Sequence, residues 1–130
     1  MKNPRRKKTQ AIYDKFKGCH AENPSALEVF NFQNEVVLHT FEHWIIIENR
    51  FPYDQIAKVN HMIVSKRPLQ SHYNGTKAEQ KEYRTIIMQL EKEGFYDAYI
   101  ENFSKVKSVK KFAHTHLVIW RQSKKLHDDN

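Results

Sequence analysis

The stretch "KSVKKFAHTHLVIW", residues 107–120, decides how this chain is read. It is apolar and β-branched enough for a strand, yet it carries His114 and His116 one residue apart. In a strand, side chains at i and i+2 share a face. Phe112, His114, His116 and Val118 then lie on one side, and Ala113, Thr115, Leu117 and Ile119 on the other. Leu117 and Ile119 read as core, so the histidine side must be an open surface or a lined pocket. Two imidazoles roughly 7 Å apart along a strand can touch one phosphate together. One can attack phosphorus while its neighbour donates a hydrogen bond or a proton. Two other readings fit this strand taken alone. One is an inert pair on a solvated face. The other is a His-x-His metal site that recruits His43, His61 or His72.

Working outward, the chain alternates strand-like runs with one clear helix. Leu27, Val29 and Phe30 alternate in "LEVFNF". "EVVLHTFEHWIIIEN" is apolar and β-branched, with a break near Thr40 to His43. "FPYD" is a turn signal and "NHMIVSK" a short strand. "SHYNGT" is a loop built on Asn74-Gly75. The helix begins at Thr76, with Glu79 three residues on, in the capping-box pattern. Tyr83, Ile86, Ile87 and Leu90 share one face, and Gly94 ends the helix. "FYDAYIENF" and "KFAHTHLVIWRQ" read as two more strands. Strands, one principal helix, then strands predict an α+β fold, a mainly antiparallel sheet with the helix on one face.

The 130 residues suggest one domain, and 39% apolar residues suffice for a packed core. No run reaches the roughly 18 apolar residues of a membrane span. "MKNPRRKKTQ" is basic without an apolar segment behind it, so it does not read as a secretory signal. The single Cys19 excludes an internal disulfide framework and points to a reducing, cytoplasmic setting. Three glycines leave no phosphate loop of the Walker or dinucleotide kind. A formal charge of +7 invites a nucleotide or nucleic-acid partner. That charge concentrates in Arg5, Arg6, Lys7 and Lys8, and again in Lys105, Lys107, Lys110 and Lys111. Residues 1–26 read as a basic, flexible arm with a short helix near Ala11 to Lys17. Residues 27–123 form the domain and 124–130 a short tail.

These motifs together resemble the histidine-triad (HIT-like) superfamily of nucleotide hydrolases and transferases, which includes galactose-1-phosphate uridylyltransferase and dinucleoside-polyphosphate phosphorylases. Members carry His-x-His-x-His before two apolar residues, preceded closely by Ser-Val. Here Ser108 and Val109 stand upstream and Leu117-Val118 downstream. A second family pattern is Asn-x-x-Pro-Tyr, followed by a strand opening with His and closing in Pro-Lys-Arg-His. "NRFPYD" supplies Asn49, Pro52 and Tyr53, and "HMIVSKRP" supplies His61, Lys66 and Arg67. Asn102 matches the asparagine before Ser-Val. The triad departs from the family because Phe112 stands where the first histidine belongs. The closing proline and histidine are also replaced, by Ser65 and Pro68.

In that register the resemblance makes His114 the nucleophile and His116 a phosphate or leaving-group contact. A second register, close to His-x-His-Leu-Gln, makes His116 the nucleophile. The upstream Ser-Val agrees with the first. The implied activity is hydrolysis or nucleotidyl transfer on a phosphodiester or phosphoramidate through a covalent nucleotidyl-histidine. Ser108, Asn102, Asn49, His61 and Lys107 would bind substrate, without metal or cofactor. Phe30, Phe32 and Ile47 are candidates to wall the base. The partner would be a nucleotide or nucleotide conjugate, and relatives suggest a homodimer. The competing expectation is a catalytically impaired nucleotide- or nucleic-acid-binding module, since the triad is broken and the arm is basic.

Overall fold

A computed structural model describes residues 3–19, 35–103 and 112–122, with the side chains of the first helix placed as far as residue 15. Its elements are α1 (Lys7–Cys19), β1 (Val37–Thr40), β2 (Trp44–Glu48), β3 (Ala57–Ser65), a 3-10 turn (His72–Asn74), α2 (Lys77–Glu93), β4 (Ala98–Ile100) and β5 (His114–Trp120). The strands form one sheet in the order β1-β2-β3-β5-β4, each neighbouring pair antiparallel. The α+β architecture expected from the strand and helix patterns is the one observed.

The break expected at residues 40–43 is a tight reversal between β1 and β2, closed by the Phe41 N–H on Trp44 O at 2.8 Å. β2 then runs Trp44-Ile45-Ile46-Ile47, all buried. Such a continuous apolar run belongs to a strand covered on both faces. Ile46 joins a cluster with Trp44, Ile63, Leu69, Tyr83, Ile86, Ala113 and Leu117. Ile45 and Ile47 point the other way and pack with Met62, Val64 and Phe112.

Helix α2 covers the first face. The Thr76 side chain accepts from Glu79 N–H and the Glu79 side chain from Thr76 N–H, so the expected capping box is present. Gly94 takes φ 72° and ends the helix in the left-handed conformation. Gly75 has a different reason to be glycine: a Cβ there would meet Glu79 Cβ at 3.0 Å. Two polar contacts fasten the helix to the sheet. Trp44 Nε1 donates to Glu79 O at 2.9 Å, and the Tyr83 hydroxyl meets Thr115 Oγ1 at 2.7 Å.

Three elements differ from the sequence expectation. The strand foreseen across residues 95–103 narrows to Ala98–Ile100, and Asp97 instead uses its carboxylate on Trp120 N–H. It is an edge strand, where short length limits unwanted pairing. β3 starts earlier than expected because residues 57–59 pair with the end of β5. α1 begins at Lys7 rather than near Ala11. Its start is secured from a distance, with Asp54 accepting from Arg6 N–H at 2.7 Å and from the Thr9 hydroxyl. A carboxylate at a helix N-terminus satisfies donors left open by the first turn and opposes the positive end of the helix dipole. The strand expected at residues 27–32 lies outside the described residues, as does the tail from 124.

Candidate functional site

The alternation read for β5 holds. Ala113 and Leu117 enter the cluster under α2, whereas Phe112 enters the opposite cluster. His114 and His116 lie on that opposite face, their ring centroids 5.6 Å apart and their planes nearly perpendicular at 76°. Neither is open to solvent: His114 is 5% exposed and His116 3%. Phe112 sits against Ile45, Ile47, Met62 and Val64, so the ring in the first-histidine position is packed as core.

The hydrogen bonds distinguish the two imidazoles. His114 Nδ1 lies 3.1 Å from Phe112 O. A carbonyl can only accept, so Nδ1 carries the proton and the neutral ring holds its lone pair on Nε2. His116 Nδ1 lies 3.2 Å from Asn60 Nδ2. The Asn60 orientation follows from its other partners. Its Oδ1 accepts from Tyr53 N–H at 2.9 Å and from Asn49 Nδ2 at 3.0 Å, and its Nδ2 also donates to His61 O at 3.1 Å. The amide nitrogen therefore donates to His116 Nδ1, and the neutral His116 carries its proton on Nε2. Burial, helped by the neighbouring His114 and by Arg5, pushes His116 down to about 3. His116 is therefore a neutral N–H donor at ordinary pH.

Tyr53 and Asn102 complete this wall. The Tyr53 ring stacks on His116 with centroids 4.3 Å apart and 25° between planes. Asn102 Nδ2 donates to the Tyr53 hydroxyl at 3.1 Å. Asn49 reaches the site one step back, through Asn60, and also accepts from Phe51 N–H at 3.0 Å. Ile47 lies in the apolar cluster on the same face.

His61 does not join the pair. It faces the α2 side of the sheet, where its Nδ1 meets the Tyr96 hydroxyl at 2.5 Å. Burial lowers its pKa, against the pull of Glu48. The reason is register: His61 alternates with Asn60 and Met62, which occupy the histidine side. The other histidines considered as metal ligands are also engaged elsewhere. His43 Nε2 is 3.9 Å from Glu42, and the His43 backbone N–H donates to Glu82. Those three residues form a cluster of potential ligand atoms within 4.8 Å of one another. His72 Nδ1 pairs with Glu101 at 2.6 Å and stacks on Tyr83. Ser108, Lys107, Phe30 and Phe32 lie outside the described residues.

Two contributors escaped the sequence reading. Asn60 had a usable signal, being an amide on the apolar side of a strand, in register with Met62 and Val64. Arg5 had none. Its Nε donates to Phe51 O at 2.6 Å, and its guanidinium carbon lies 4.2 Å from the Tyr13 ring centroid and 5.0 Å from that of Tyr53. A cavity of about 340 Å³ lies elsewhere, lined by Ile87, Leu90, Tyr96 and Tyr99 on the α2 side.

A solved structure of a histidine triad protein from Clostridium difficile matches with a TM-score of 0.50 at 16% identity, covering 68% of this chain and 81% of that one. At that identity the likeness establishes a HIT-like fold. No curated protein matches the chain. A family model described as "Protein of unknown function (DUF3605)" matches residues 6–120. No helix among the described residues is long and apolar enough to cross a membrane.

Proposed function

The chain belongs to the family described as "Protein of unknown function (DUF3605)", and from that premise we propose that it is a nucleotide hydrolase or nucleotidyltransferase with His114 as nucleophile. The observation that carries this reading is the complementary hydrogen bonding of two adjacent imidazoles. His114 holds its proton toward Phe112 O, and His116 holds its proton away from Asn60. A neutral His114 protonated on Nδ1 would attack through Nε2 while His116 donates from its own Nε2, which is what an in-line attack on a phosphate ester needs.

The Nε2 lone pair of His114 forms an N–P bond at the α-phosphorus of a phosphodiester or phosphoramidate. The bond to the leaving group breaks, its electron pair departs with that group, and solvent supplies the proton. His114 becomes cationic in the covalent intermediate, and Phe112 O stabilises it through the Nδ1–H. His116 Nε2–H donates to a phosphate oxygen. Water, or a phosphate acceptor, then attacks phosphorus and releases Nε2. Asn102 and Asn49 would act by holding Tyr53 and Asn60, while Ser108 and Lys107 are proposed substrate contacts from the segment preceding β5.

The expected outcome is that the wild type turns over an adenosine phosphoramidate with a nucleotidyl-histidine adduct visible by mass spectrometry. His114→Ala should remove both. Unchanged turnover in that variant would sink His114 as nucleophile. A second reading is favoured by the packing of Phe112 and the burial of both histidines: a nucleotide- or nucleic-acid-binding module without turnover. Binding that weakens steeply with salt, with no product from any nucleotide conjugate, would select it.

A further inference from the structure

We propose that Arg5, delivered by the N-terminal segment, is the anion-binding residue of the histidine site and takes the phosphate of a nucleotide presented to His114 and His116. The proposal rests on the nucleotide reading above and gives the two histidines a fixed positive charge from among the described residues. His116 stays neutral at ordinary pH, so it can donate to a phosphate oxygen but cannot neutralise its charge. Arg5 is near enough to act electrostatically on His116. The connection is also structural: the guanidinium lies against Tyr13 and Tyr53, and Tyr53 stacks on His116.

Among the described residues the charge on Arg5 is not spent on a carboxylate. Its guanidinium is half-buried, and burial lowers its pKa despite opposing pulls from the tyrosines, Asp14 and Asp54. Among the described residues no carboxylate lies within ion-pair distance of it. Among the described residues its one side-chain hydrogen bond is from Nε to Phe51 O, and its other contacts are the Tyr13 and Tyr53 rings. A partly desolvated guanidinium with a planar fork of donors and no carboxylate partner is suited to bind a phosphate through two hydrogen bonds.

The segment is held in place on both sides of Arg5. Gln55 N–H donates to Pro4 O at 2.8 Å. Arg6 N–H and the Thr9 hydroxyl both bind Asp54, and Tyr13 packs on Phe51 with ring centroids 5.0 Å apart. A solubilising tail needs none of these attachments.

The experiment is calorimetric titration of the full chain with AMP, adenosine and inorganic phosphate, at low and high salt. The wild type should bind AMP more tightly than adenosine, with salt weakening only AMP. Arg5→Gln should weaken AMP about tenfold or more and leave adenosine unchanged. Arg5→Lys, which keeps the charge but loses the fork, should fall between and decides the matter if the glutamine variant does not fold. Equal losses for AMP and adenosine would reduce Arg5 to a structural tie and overturn the proposal, as would wild-type AMP affinity in Arg5→Gln. Phosphate binding that depends on Arg5, with neither AMP nor adenosine bound, would uphold the anion site while rejecting the nucleotide reading. A wild type that binds no phosphate-bearing probe overturns the anion site itself.

Discussion

Asn60 is the residue on which the candidate site turns, because one side chain bonds four neighbours. It takes hydrogen bonds from Tyr53 N–H and Asn49 Nδ2, and gives them to His116 Nδ1 and His61 O. Replacing it with an apolar side chain of similar size would strip partners from several buried or half-buried groups at once. Leaving such groups unsatisfied costs about 1–3 kcal/mol. Asn60→Leu should therefore lower the denaturant midpoint by a corresponding amount. Asn49→Ala, which removes one bond of that set, should cost less. Equal losses would mean that the network does not centre on Asn60.

Helix α2 shows how an element can be legible locally and still depend on a distant partner. Its capping box was readable from Thr76 and Glu79, three residues apart. The same carboxylate is also held by Arg67 in a two-pronged contact, Nε at 2.8 Å and Nη2 at 2.7 Å. The Arg67 bond outweighs burial, and with Thr76 it holds Glu79 down at about 2. A carboxyl depressed in the folded state stabilises above its unfolded value, and that contribution disappears as pH falls through the folded value. The relevant window runs from about pH 4.5 down to about 2. Acid unfolding followed by circular dichroism should show stability falling across that window. Glu79→Gln, which can still cap, should lack that component. A variant with the wild-type acid profile would remove Glu79 as its source.

At the scale of the whole molecule, one sheet separates two apolar clusters, and only one of them is covered by the helix that the sequence announces. The other holds Phe112 among Ile45, Ile47, Met62 and Val64, on the same face as the histidines. Phe112→Ala should open a cavity there and cost about 3–5 kcal/mol, read from the denaturant midpoint. A loss well under 1 kcal/mol would show that this face is not a tightly packed core. Phe112 thus has a packing reason to be apolar, whatever the chemistry of its neighbours.

Local pattern was enough for the antiparallel sheet, the capped helix, the reversal at Phe41, and the placing of His114 and His116 on one face of β5. Each rests on spacing along a few residues: period two for a strand, three to four for a helix, and one glycine where φ turns positive. The tertiary structure decided the rest. It buried the histidine face, turned His61 to the other side, and brought Asn60 to a residue 56 positions away. It also joined Arg6 to Asp54 across 48 positions, which is what places Arg5 beside Tyr53. Periodicity reports which face a side chain takes. A hydrogen bond between distant residues depends on the path of the chain between them, and no local spacing encodes that path.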